Sequence, residues 1–148
     1  MSIILASKSR IRQRILCEAN IPFSVVPSNI DETIIKEQHK PDSFDKLAMT
    51  LASKKALSVS DQHPNEWVIG ADQLCVLHNQ FFDKPGNQDN AIKQLAILSG
   101  KTHQLISALC IVKNNELLWT HVETTHMHMR SLNQEEIIDY VERDQPFH

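Results

Sequence analysis

Glycine is scarce in this chain. Only three occur in 148 residues, at positions 70, 86 and 100. Glycines so few and so far apart exclude both the glycine-rich phosphate loop and the dinucleotide-binding fingerprint. If phosphate is bound, side chains and a helix N-terminus must supply the donors. Aromatic residues make up 5% of the chain, which is thin for base-stacking on nucleic acid. Excess positive charge is lacking too. The net charge of -3 argues against a nucleic-acid binder that relies on bulk positive charge, although it leaves room for a local basic pocket. Cys17, Cys75 and Cys110 are odd in number, far apart and never in a CxxC, so they suggest neither a disulfide framework nor a zinc ribbon. No apolar run approaches membrane length, and the run in MSIILASKSR is short for a signal peptide. A cytoplasmic protein without nucleic-acid or membrane partners is the expectation.

What is present is enough for a real core. The chain is 41% apolar and 22% charged, and it has the length of one ordinary domain. Ile3 to Ala6 reads as a short buried strand, and Ser9 can cap a helix running to about Asn20. Phe23 to Val26 reads as a second strand. Residues 28 to 42 read as loop-rich and contain the acidic pair Asp31-Glu32. Ser43 opens a longer helix that ends near Ser60. Trp67 to Leu77 is an apolar strand, and His78-Asn79 suits a hairpin turn into Phe81-Phe82. Asn87 caps a helix over 88–98 that Gly100 ends. Residues 103–112 and 117–130 form strands around the turn Asn114-Asn115. Asn133 begins a last helix through about Arg143. Helices alternate with strands early and a hairpin comes late, so the class is α/β with a mixed twisted sheet and flanking helices.

Polar residues on apolar faces carry the functional signal. At about 100° per residue, Ile11, Ile15, Leu16 and Ala19 share the broad apolar face of the first helix, and Arg12 falls inside it. Its head either snorkels outward or meets an anion beside the helix N-terminus. On the second long helix, Phe44, Ala48, Leu51 and Val59 form the inward stripe. Lys55 lies in its centre, while Lys54 sits to the side. A lysine so placed is a structural ion pair, a snorkelling stem or a cation pointing into a cleft. In the strand WVIGADQLCVL, Asp72 stands in a run otherwise fit for burial. A buried carboxylate must be paired, hydrogen-bonded or metal-bound, unless Gly70 marks a local bulge. Together, Ser9, Arg12, Lys55 and Lys84 form a candidate anion-binding set, with Glu32 and Asp72 as hard oxygen ligands. Mg²⁺-dependent phosphate chemistry needs such a combination. His126 and His128 share one strand face at a spacing that could hold a metal. The plainer reading is an exposed polar face opposite Met127 and Met129 in the core. Cys75 and Cys110 read as buried small hydrophobes.

ILASKSRIR at 4–12 resembles the opening signature LASxSxxR of the Maf proteins, a family of nucleoside triphosphate pyrophosphatases. IDET at 30–33, LASKKA at 51–56, IGADQ at 69–73, KP at 84–85, LSGKTH at 98–103 and SLNQEEIIDYV at 131–141 follow in the family's order. The resemblance covers nearly the whole chain. It implies an elongated, two-lobed Maf/ITPase-like α/β fold with the site in a cleft, and a homodimer. The reaction implied is a cut between the α and β phosphates of a nucleotide, dependent on a divalent metal, Mg²⁺ or Mn²⁺. Family roles fall on Ser9 and Arg12 near the phosphates, Lys55 and Lys84 on the phosphates, Glu32 as metal ligand or base, and Asp72 as catalytic carboxylate and metal ligand. DQLCVL resembles the branch acting on 7-methyl-GTP, whereas the dTTP and UTP branch usually has DT. Ile11 stands where the first branch often has tryptophan, and Arg10 where the family usually has proline. The family pattern also continues beyond YVERDQPFH. The expectation is a single Maf-like domain truncated at its C-terminus, which is either active or a disabled nucleotide- or partner-binding remnant linked to septum formation.

Overall fold

The computed structural model describes residues 2–38 and 43–146. Eleven elements follow in chain order: β1 (Ile3–Leu5), α1 (Arg10–Glu18), β2 (Ser24–Val25), α2 (Glu32–Gln38), α3 (Phe44–Ser60), β3 (Trp67–Leu77), β4 (Gln80–Phe82), α4 (Gln88–Leu98), β5 (Thr102–Lys113), β6 (Glu116–His128) and α5 (Gln134–Asp144). The strands build one mixed sheet in the order β2-β1-β3-β5-β6, with β4 paired to β3. β1 runs parallel to both β2 and β3, and β4 runs antiparallel to β3. The α/β class with a mixed sheet and flanking helices is therefore what the chain forms.

Local chemistry sets most boundaries. Ser9, Ser43, Asn87 and Asn133 each cap a helix by accepting a backbone N–H of its first turn. At Asn133 the cap is reciprocal, because Glu136 reaches back to the cap's own N–H. His78-Asn79 and Asn114-Asn115 all have positive φ, between 51° and 63°. Two such residues in succession make the tight turn that joins adjacent antiparallel strands. Gly100, at φ 68°, follows the end of α4.

One stretch differs from expectation. Residues 32–38, read as loop, form α2. Asp31 Oδ1 accepts the Ile34 N–H at 3.1 Å and so nucleates the turn, and no glycine or proline interrupts the segment. The rest of the expected loop, residues 39–42, lies outside the described residues.

By its internal contacts the chain divides into two compact units. The first comprises the residues up to Gln73 with Ser107–Glu123; the second comprises Leu74–Ile106 with the residues from Thr124 onward. The first unit's core joins Ile4 and Leu5 of β1, Leu47, Leu51, Ala52, Ala56 and Val59 of α3, Val68 of β3, and Ala108, Cys110 and Val112 of β5. The buried Ser60 hydroxyl accepts the Asn115 N–H at 3.1 Å and pins the β5–β6 turn to the end of α3. In the second unit α4 packs on α5 through Ala91, Ile137 and Val141, with Ile92, Leu95 and Leu132 around them. Beside that contact is a cavity of about 500 Å³ lined in part by Met129, Arg130, Tyr140 and Arg143.

Candidate active site

The site begins with a close approach. Gly70 lies two residues before Asp72 on β3. A Cβ built there would stand 2.8 Å from Ala56 Cβ and 3.0 Å from Cys110 Sγ, and it would run into the Ala52 carbonyl oxygen. Only glycine lets α3 lie this close to the strand. There is no turn at Gly70: β3 is continuous through Asp72. The neighbour of Ala56 on α3 is Lys55, and its ammonium reaches Asp72 Oδ1 at 2.9 Å. The same ammonium lies 2.6 Å from Glu32 Oε1.

Lys55 thus bridges two carboxylates from two different elements. Lys55 and Asp72 are both 8% exposed. Asp72 Oδ2 is buried and finds no hydrogen-bond partner among the described residues. Burial pushes the Asp72 carboxyl above the ordinary aspartate range; Lys55 and Arg12 pull the other way and only partly offset it. Glu32 adds repulsion in the same direction as burial. The acidic pair of the sequence has separated into two jobs. Asp31 caps α2, while Glu32 carries its carboxylate to Lys55.

Arg12 supplies the second positive charge. Burial lowers its pKa, and the charges of Asp72 and Glu32 oppose that shift; a guanidinium so placed remains charged at neutral pH. Two cations thus balance two carboxylates. Arg12 Nη1 donates to Ser7 Oγ at 3.1 Å, and the Ser9 N–H donates to the same hydroxyl at 3.1 Å. Ser9 Oγ accepts the Arg12 N–H. Ser7 was missed by sequence reasoning, which carried forward only the capping serine. The available signal was a second hydroxyl two residues before the cap.

The expected orientation of α1 requires a correction. Ile11 and Ile15 are 70% and 57% exposed, and α1 buries no residue fully. The half-buried side is Arg12, Gln13 and Leu16. The apolar stripe misled because the polar anchor at Ser7, not the isoleucines, fixes the helix's rotation. Lys84 belongs to the second unit and is exposed in the loop between β4 and α4. His126 and His128 are exposed, and they contact Gln104 at 3.3 Å and Thr102 at 2.7 Å on β5. Met127 is 40% exposed and Met129 only half-buried, so the core expected behind the histidines is not there. Among the described residues no group of three or more His, Cys, Asp or Glu could hold a metal by itself. Cys110 is buried and Cys75 half-buried. Burial raises both thiols, which makes them poor nucleophiles.

The Maf-like protein family model matches residues 2–148, and the chain belongs to that family. A nucleoside triphosphate pyrophosphatase of Legionella pneumophila (strain Lens) is 43% identical over 145 residues, which covers 98% of this chain and 72% of that protein. Another of that name, from Rhodopseudomonas palustris (strain HaA2), is 41% identical over 140 residues, covering 95% of this chain and 69% of that one. Among solved structures, a HAM1 protein from Coxiella burnetii matches with a TM-score of 0.57 at 14% identity, over 86% of this chain and 72% of that one. At that identity the likeness concerns the fold.

Proposed function

We propose that this chain is a nucleoside triphosphate pyrophosphatase, cutting between the α and β phosphates to give a nucleoside monophosphate and pyrophosphate. The observation that carries this reading is the buried, unpartnered Asp72 Oδ2 beside an ammonium shared with Glu32. A buried carboxylate oxygen left without a donor is costly unless something else fills its coordination. Two carboxylates suit Mg²⁺, which takes one or two from the protein and completes its shell with water and substrate phosphates. Glu32 and Asp72 are the residues that would hold it, and Mn²⁺ satisfies the same donors. When bound, the metal supplies charge stabilisation to the phosphate oxygens.

The chain's own residues supply the rest. Lys55 and Arg12 counter the charge that spreads over the phosphates in the transition state. Ser7 and Ser9 hold Arg12 and the first turn of α1 ready, so donors need no rearrangement when substrate arrives. Lys84 keeps only the phosphate-binding role that the family resemblance implies for it. A carboxylate, Asp72 or Glu32, orients or deprotonates the attacking water. 7-methyl-GTP is the favoured substrate over dTTP or UTP because DQLCVL, with Gln73, resembles that branch where the other usually has threonine. A homodimer acting in the cytoplasm fits this reading; among the described residues no helix is long and apolar enough to cross a membrane.

The test is pyrophosphate release with Mg²⁺ from 7-methyl-GTP, GTP, dTTP, UTP and CTP, using the wild type and Asp72→Asn. Release that falls about a thousandfold in the variant is expected. A variant that turns over at near wild-type rates overturns the assignment of Asp72. No release from any nucleotide by the wild type, with nucleotide binding intact by calorimetry, favours a disabled remnant.

A further inference from the structure

Lys84 sits in the loop between β4 and α4, and that loop is tied to α4 on both sides of it. Gln94 Nε2 donates to the Asp83 carbonyl oxygen at 2.7 Å, and Asn90 Nδ2 donates to the Pro85 carbonyl oxygen at 3.1 Å. Asn90 and Gln94 stand four apart on α4, so they share one face of the helix. The two carbonyls they hold flank Lys84. Between the ties the chain has little freedom left: Pro85 locks its own φ and steers Lys84 away from the helical region. Asn90 also donates its backbone N–H to Asn87 Oδ1 at 2.8 Å, so the residue that ties the loop belongs to the helix cap as well. The helix beneath is itself held, because Ala91, which lies between the two amides, is buried against Ile137 and Val141 of α5. All of these residues belong to the second unit. The Lys84 side chain is exposed. A lysine that only solvates a surface needs no fixed backbone beneath it.

We propose that Asn90 and Gln94 are positioning residues: their side-chain amides fix the peptide units on either side of Lys84 and so present its ammonium to the phosphates of the substrate. This rests on the phosphate-binding role of Lys84 in the proposed function. The reason for the ties is entropic. A lysine has a long, flexible stem, and a free loop adds backbone dihedrals beneath it. Ordering both when substrate binds would take back much of what one phosphate contact gives. With the backbone tied beforehand, only the side chain remains to be ordered. The chemistry of the ties suits a cation at work. A neutral amide donates to a carbonyl and leaves the ammonium free for an anion. A carboxylate at 90 or 94 could not donate, and it would draw the ammonium to itself. Gly86, at φ 73°, follows the second tie, so backbone strain there is not passed to Lys84.

Calorimetric binding of inorganic tripolyphosphate with Mg²⁺ tests this on the full chain, in the wild type, Lys84→Ala, the paired variant N90A/Q94M and the triple combination. Lys84→Ala should weaken binding about tenfold, and the paired variant about fivefold. The triple combination should bind no worse than Lys84→Ala, because amides that act only through Lys84 then have nothing left to aim. Circular dichroism melts check that each variant is folded; if the paired variant is not, Gln94→Met alone should weaken binding about threefold and carry the same comparison. A paired variant that binds like the wild type while Lys84→Ala binds weakly overturns the positioning role and leaves that of Lys84 standing. A triple combination about fivefold weaker than Lys84→Ala shows the amides acting on the fold at large, and also overturns it. A wild type that does not bind tripolyphosphate, or a Lys84→Ala variant that binds it equally well, removes the phosphate role of Lys84 and the proposal with it. Pyrophosphate release from 7-methyl-GTP is read separately. A chain that shows the expected binding pattern but releases nothing loses the catalytic reading and keeps the positioning one.

Discussion

β3 and β6 belong to one sheet and are similar in length, eleven and thirteen residues, yet their surroundings are opposite. β3 has neighbours on both sides and helix α3 pressed against it at Gly70. It holds a carboxylate where burial penalises charge. Among the described residues β6 has a neighbour on one side only, and it holds leucines and a tryptophan where water penalises them. Each strand places its costly groups where they are least comfortable, and the discomfort has a different remedy in each. Asp72 calls for a cation, which Lys55 supplies on one oxygen only. The leucines and tryptophan of β6 call for cover that the described residues do not give. A residue out of keeping with its own surroundings says more about function than its type does.

The largest effect on folding should come from removing the cation that makes the β3 arrangement tolerable. Lys55→Met keeps the stem and deletes the charge. Two carboxylates then face each other beside Arg12 without the ammonium between them. Breaking a buried pair from one side should cost about 3 kcal/mol at neutral pH in urea unfolding. The loss should shrink in mild acid, where Asp72 takes up a proton, and Lys55→Met combined with Asp72→Leu should recover much of it. A single variant as stable as the wild type at neutral pH would mean that Asp72 is far less desolvated than its burial indicates.

Next is the contact that brings α3 to β3. Gly70→Ala must push α3 outward, since a Cβ there meets the Ala52 carbonyl oxygen and Ala56. It should cost about 1–3 kcal/mol and should also impair catalysis, because Lys55 rides on the displaced helix. Gly86 is the comparison. It has open space around it but φ 73°, so Gly86→Ala should cost about 1 kcal/mol and leave turnover unchanged. Equal losses of activity in the two variants would mean that helix position does not matter to the site.

These two contacts also mark how far the sequence could be read. Lys55 and Asp72 stood out because a charge in an apolar period is visible without coordinates, and all four helices expected from their caps formed. Three things were hidden. The helix of Glu32 depends on an Asp31 cap inside a stretch with no apolar period. The rotation of α1 depends on a hydrogen bond from Arg12 to Ser7, which no periodicity encodes; Ile11 and Ile15 therefore promised a buried face and gave an exposed one. Met127 alternates correctly for a half-buried strand, but alternation does not say whether anything lies on either side, and among the described residues β6 is open on both faces.

A smaller effect is the pH dependence of stability that Asp72 contributes. Its carboxyl binds a proton more tightly in the folded chain than in the unfolded one, where the ordinary value is 3.8. The stability tied to this group is therefore full below that value and is lost as pH rises through the higher folded value. The difference in unfolding free energy between wild type and Asp72→Asn should fall as pH rises across this window, opposite in sign to an aspartate held mainly by its ion pair. Mg²⁺ should flatten the trend if Asp72 is a ligand, because the metal favours the ionised form. A difference that rises with pH would show Lys55 outweighing burial.

The smallest expected effect lies on β6. Trp119 is 46% exposed and its ring stacks on His121. In dilute, monomeric protein, Trp119→Ser should change unfolding stability by no more than about 0.5 kcal/mol, despite removing the largest side chain of the strand. The same substitution on a strand buried like β3 would cost about 3–5 kcal/mol. A large loss in the monomer would mean that the tryptophan is held by packing within a single chain, and the contrast between the two strands would then rest on β3 alone. A small loss in dilute protein that grows with concentration would place the value of Trp119 in contacts made between chains.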